Sequence, residues 1–301
     1  MALCLVEPDN LQTGVEPPYD TEPIDWPFNA IKVHLLDEAS LIDKIEKIAA
    51  PIEDLYSGGF EEQAHQSVFL IHQTLCAILP QIPYDHLGHV KLAKLVVELM
   101  NRSRPSSDAS YDAGMRGKLA WADFRTPECR YSEGPADDIV MGEVEYYPQY
   151  EADSEKLGVG AIKDEWTRQN AFLARLVTTP GASDYKVHYA KRALIAMEAA
   201  LEEDTKTAEE ISVNIPAAAV WIFYAGEHIY ESRDEWPERW TPSEGGPLRT
   251  GRKGSCPGRW ALWKERFQWV ARHDAMTDEA KDFAERAVEE TDRVGKLVSD
   301  I

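Results

Sequence analysis

From Asp37 onward, apolar residues recur every three or four positions, the spacing of a helix with one oily face. In LLDEASLIDKIEKIAAPIEDLY, Leu41, Ile45 and Ile48 share that face until Pro51, where a break or restart is expected because proline lacks the N–H an interior turn needs. SGGF then ends the segment, and Val68, Ile71, Leu75 and Ile78 mark a second helix. Leu92, Leu95, Val96 and Leu99 mark a third between His86 and Met100. The C-terminal half is patterned more strongly, predicting helices near 156–178, 183–203, 206–231, 257–274 and 277–299. Asn214 followed by Pro216 predicts a cap and restart within the third of these. Ala217 to Gly226, AAAVWIFYAG, is apolar on every side and belongs in the centre of a bundle. Trp260, Trp263, Phe267 and Val270 form an aromatic stripe, and Ala280, Phe283, Ala287, Val294 and Leu297 form another. Period-2 alternation is scarce, with EVEYY at 143–147 as the one plausible short strand. The fold class is all-α, an irregular multi-helix bundle.

Between the patterned segments lie stretches of a different kind. Residues 1 to about 30 hold six acids, no base and five prolines, which suits an extended arm. Residues 132–155 hold eight acids and no base, the best boundary between two helical halves. The expected organisation is an acidic proline-rich arm at 1–33, an N-terminal helical part at 34–131, an acidic linker at 132–155 and a C-terminal helical part at 156–301.

Composition narrows the class. Of 301 residues, 44% are hydrophobic and nine are tryptophan, enough for a globular core. A net charge of -21 argues against a general nucleic-acid binder, which needs a surplus of Lys and Arg on one face, and against an anionic membrane surface. Cys4, Cys76, Cys129 and Cys256 show no paired spacing, which suits free thiols in a reducing compartment. The N-terminal apolar start has no preceding base and meets an early Glu7, so it is too short for a signal peptide. Ile215 to Gly226 falls short of the roughly 20 residues that span a bilayer. A soluble, cytoplasmic protein is expected.

Which polar residues could carry chemistry? On a helical wheel starting at Trp166, Asn170 falls at about 40° and Arg175 at about 180°. Asn170 therefore shares the face that Trp166 would bury, and its amide must be satisfied there, by a neighbouring helix or by a ligand in a cavity. Arg175 is expected in a salt bridge or against a second packed element, its stem on apolar surface. In WIFYAGEHIY, Trp221, Tyr224 and His228 share a face, while Glu227 lies with Val220, Phe223 and Tyr230. Glu227 and His228 could form a general acid–base pair in a pocket, or mark where the helix reaches solvent, the preferred reading. The candidate pocket thus comprises Trp166, Asn170, Trp221, Tyr224, Glu227, His228, Trp260 and Trp263.

The stretch from Ser232 to Cys256 carries Trp236, Trp240, Arg249, Arg252 and Lys253, a basic-aromatic loop suited to cover a pocket or meet an anionic group. Its Gly246-x4-Gly251 is a near miss for a phosphate-binding loop, since the lysine falls one place late and no strand precedes it. Glu62-Gln-Ala-His65, with His72 beyond, and the pair His86 and His89 lack the further ligands a metal centre requires. No metal or other cofactor is expected, and no local motif marks a catalytic nucleophile.

Taken in order, WTRQNAFLARL at 166–176, YAKRALIAMEAALEE at 189–203, AAAVWIFYAGEHIY at 217–230 and GPLRTGRKGSCPGRWALWKERF at 246–267 resemble an all-helical fungal family catalogued as domain of unknown function 3632. IPYDHLGHVKLAKLVVELM at 82–100 and LAWADF at 119–124 are similar to its N-terminal part. One departure stands before the helix bearing Arg259 and Trp260. Where the family has an aromatic and then a serine, this chain has Ser255 and Cys256, so Ser255 is expected to cap from one position earlier. The resemblance implies no reaction, cofactor or catalytic residue, so whether the chain is an enzyme stays open. Two functions are carried forward. The first is a soluble helical protein that binds a protein or small molecule in the groove between the helices of Trp166/Asn170, Trp221/Tyr224/His228 and Trp260/Trp263. The second is an enzyme or accessory protein of fungal secondary-metabolite biosynthesis, with Glu227, His228 and Asn170 in an interior pocket.

Overall fold

The computed structural model describes residues 3–5, 26–36, 41–102, 159–182, 186–204, 206–231, 246–249 and 256–299. Among them every regular element is helical, and no strand occurs. The EVEYY segment and the acidic stretch 132–155 lie outside the described residues. The chain divides into two compact units, Met1–Ile82 with His86–Ser132, and Pro83–Asp85 with Glu133–Ile301.

The first unit is built from α1 (Trp26–Leu36), α2 (Leu41–Ser57), α3 (Glu61–Ile78) and α4 (Gly88–Met100), with a single 3₁₀ turn at Leu79–Gln81 after α3. Within the stretch expected as an arm, 1–33, the residues from Trp26 onward are helical, and Phe28 and Ile31 are buried. Charge and proline density dominate a reading of the first thirty residues, whereas two large apolar side chains set the outcome. Helix α2 also runs unbroken through Pro51. Ile48 and Ile52 are buried on either side of it, while Pro51 faces solvent, where water can satisfy the carbonyl it leaves without a donor. The turn to α3 uses Gly59 at φ 86°, a conformation that side chains disfavour.

The second unit holds α5 (Val159–Thr178), α6 (Lys186–Met197), α7 (Ala208–Glu231), α8 (Pro257–Arg272) and α9 (Asp278–Ser299). Helix α7 is the axis, packing on α5, α6 and α9, and all its residues from Ile215 to Ile222 are buried. The cap expected at Asn214 is not formed. Its amide donates to the Glu210 carbonyl within the helix, and α7 starts instead at Thr207, which exchanges bonds with Glu210 as a capping box. Pro216 sits inside the helix, held by the packing around it. Helix α6 passes directly into one π-helical turn, Glu198–Glu202. At the start of α8, Cys256 takes the cap position in extended backbone with no side-chain bond, followed by Pro257. Ser255 lies outside the described residues.

Candidate functional site

Three polar arrangements lie within the second unit. The first answers the question of Asn170, which is 1% exposed. Its Nδ2 donates to the Trp166 carbonyl at 2.8 Å, and its Oδ1 accepts the Trp221 indole N–H at 2.7 Å. The amide ties α5 to α7, and both of its polar ends are used.

The second surrounds Glu202, at the end of the π turn, which is fully buried. Its Oε1 accepts from Arg259 Nε at 2.5 Å and from Trp263 Nε1 at 2.7 Å. Its Oε2 accepts from Arg259 Nη2 at 3.0 Å and from the Gly246 N–H at 3.1 Å. A buried carboxylate survives when a guanidinium fork neutralises it and further donors fill its lone pairs. Three carbonyls at the end of this helix also find donors: Lys206 Nζ donates to Ala199, Arg266 Nε to Leu201, and the Leu248 N–H to Glu202. Gly246 is required by space, because a Cβ there would stand 2.5 Å from the Glu202 carbonyl oxygen. Arg249 lies in the same neighbourhood, where burial and the Arg259 charge pull its guanidinium below the usual arginine range. The sequence pointed Arg249 toward a lid; its backbone belongs to the turn pinned on Glu202.

The third arrangement is partly exposed. Arg175 is 9% exposed and lies flat on Tyr224, its guanidinium carbon 3.4 Å from the ring centroid, with Nη1 donating to the Ala171 carbonyl at 3.1 Å. It is thus packed against a second element, one of the two settings its wheel position predicts. Burial pushes the Tyr224 hydroxyl up, opposed by the Arg175 charge. Beside Tyr224, Phe223 stacks on Phe283 of α9 with centroids 6.1 Å apart. Arg286 lies 4.7 Å over Phe223 and donates from Nη1 to the Tyr84 hydroxyl at 3.1 Å. Tyr84 in turn packs on Phe283 at 5.1 Å.

The structure therefore splits the candidate pocket. Trp221 and Trp263 are wholly buried and committed to Asn170 and Glu202, and Trp260 is 7% exposed against Tyr230. These rings fill the interior. Trp166 and His228 are half-buried. Glu227 is exposed and meets Arg293 at 3.0 Å, so it stands where α7 reaches solvent. Trp236, Trp240, Arg252 and Lys253 lie outside the described residues. In the first unit, His86 Nδ1 accepts the Gly88 N–H, and buried His89 bonds the Ile82 carbonyl through Nε2. No three potential metal ligands gather among the described residues, and none of their helices is long and apolar enough to cross a membrane.

A family described as Protein of unknown function (DUF3632) matches residues 73–267. The chain belongs to it. No curated protein and no solved structure matches. The family's span includes Asn170, Trp221, Glu202, Gly246, Arg259 and Trp263, so both buried ties lie within it, whereas Phe283 and Arg286 lie beyond its end.

Sequence reasoning missed Glu202, because EAALEED at 198–204 reads as a solvated acidic run, and the π turn that rotates Glu202 inward leaves no trace in the spacing. Arg259 was within reach. It stands four residues before Trp263 and eight before Phe267, on the stripe expected to be buried.

Proposed function

We propose that the protein works by binding, and that its binding surface is the face of the second unit formed by Tyr84 and by side chains of α5, α7 and α9. One observation carries this reading: two arginines lie on aromatic rings there, Arg175 on Tyr224 and Arg286 on Phe223, at a half-exposed site. Arginine and tyrosine in close aromatic packing are the residue types that dominate binding energy at recognition surfaces. The interior, by contrast, has spent its polar groups. Asn170 bonds Trp166 and Trp221, and Glu202 accepts four donors. The groove between tryptophan-bearing helices is filled by Trp221 and Trp263, and the surface site beside it replaces it in this reading. Glu227, paired with Arg293 in solvent, lends nothing to an interior acid–base mechanism.

The test is native mass spectrometry of the gently purified chain beside a Phe223→Ala/Arg286→Ala variant whose helicity is verified by circular dichroism. A ligand or protein retained by the parent chain and lost from the variant is the expected result. Retention that ignores the two substitutions, or no retained species at all, rules the reading out.

A further inference from the structure

We infer that this aromatic–arginine face takes an oxyanion, a carboxylate or phosphate, carried on a small aromatic or apolar molecule; the inference rests on the binding reading above. It starts from Arg175. A guanidinium that is 9% exposed has lost most of its hydration, and buried cations are ordinarily paired with an anion. Here the compensation comes from the Tyr224 ring and the Ala171 carbonyl, and among the described residues no carboxylate lies within ion-pair distance. Asp85, exposed at the edge, is the acid whose charge reaches it. The ring and the carbonyl supply partial negative charge in place of the full charge of a carboxylate.

The rest of the face suits such a guest. Arg286 presents a second fork, with its side chain 44% exposed and Nη1 on the Tyr84 hydroxyl. Its acidic neighbour Asp282 sits at 3.6 Å and is 66% exposed, a loose contact that an incoming anion can displace. Planar forks bind carboxylate and phosphate oxygens in pairs, and the Tyr84 and Tyr224 hydroxyls can donate to either. Phe223 and Phe283 offer an apolar wall for the body of the molecule. Charge sets the size of the guest. On a chain of net -21, a long polyanion is repelled over most of its length, whereas a small anion meets only the charges local to this face, Arg175 and Arg286 with Asp85 and Asp282 at its edge.

The inference is tested by calorimetric titration of the full chain with phenylacetate and phenyl phosphate, with benzyl alcohol as the neutral control. At least one anionic probe should bind tenfold or more tightly than benzyl alcohol, and the tighter of the two identifies the oxyanion. Arg286→Ala, at an exposed position, should weaken that probe at least tenfold, and Arg175→Lys, which keeps the charge and loses the fork, should weaken it as well. Equal binding of benzyl alcohol, or an affinity untouched by Arg286→Ala, overturns the inference. A native chain that retains a neutral ligand through this face yet binds neither anionic probe overturns the oxyanion while leaving the binding reading in place.

Discussion

At the scale of single residues, the interior is held by polar groups with few but well-placed partners. Removing the Asn170 side chain as Asn170→Ala strands the Trp221 indole N–H in a dry site, and the expected loss is about 1–3 kcal/mol in urea unfolding. Glu202→Ala is more damaging, since it leaves the Arg259 charge buried without its carboxylate. A loss of about 3–5 kcal/mol is expected, largely recovered when Arg259→Met accompanies it. His34 makes a different kind of prediction. Its Nε2 donates to the Lys91 carbonyl, and its Nδ1 is buried with no hydrogen-bond partner among the described residues. Burial lowers its pKa below the ordinary 6.5, the bond to Lys91 opposes this, and the charges of Lys44 and Lys91 lower it further. The unfolded chain therefore binds this proton more readily than the folded one. The first unit should be fully stable above about pH 6.5 and lose stability as pH falls toward the folded-state value, with a flatter profile in His34→Asn. Unfolding free energies across that range check the sign.

At the scale of elements, the periodic signal located helices well and their irregularities poorly. The C-terminal helices fall within a few residues of where the apolar spacing predicts them, because amphipathic faces are written directly in sequence. Helix α1 was hidden by the acids and prolines around it, and its existence depends on Phe28 and Ile31 finding a core. Proline was overread twice: at Pro51 and Pro216 the packing of a helix face outweighs one missing backbone bond. That balance can be measured. Pro51→Ala restores the bond at an exposed position, and the protein should gain about 2 kcal/mol in urea unfolding, less what the freer unfolded chain takes back. A loss of stability would mean that the proline is matched to its turn.

At the scale of the whole molecule, a surplus of 21 negative charges opposes compactness. Raising salt from about 0.01 to 0.2 M shortens the screening length from about 30 Å to below 10 Å, so Tm should rise. A Tm that falls over this range would show that attractive surface pairs, such as Glu46 on Arg102 or Glu227 on Arg293, outweigh the repulsion.

The sequence by itself determined that the fold is all-α, that α7 lies at the centre of its own helical unit and that Asn170 turns toward the core, because periodicity and the cost of burying polar atoms are local properties. Tertiary structure alone decided what those residues meet. That Asn170 bonds Trp221 fifty-one positions away, that Glu202 faces Arg259 and that Arg175 lies on Tyr224 depend on which helices become neighbours. Spacing within one helix fixes the direction of a side chain, and the partner waiting in that direction is set by the packing of the others.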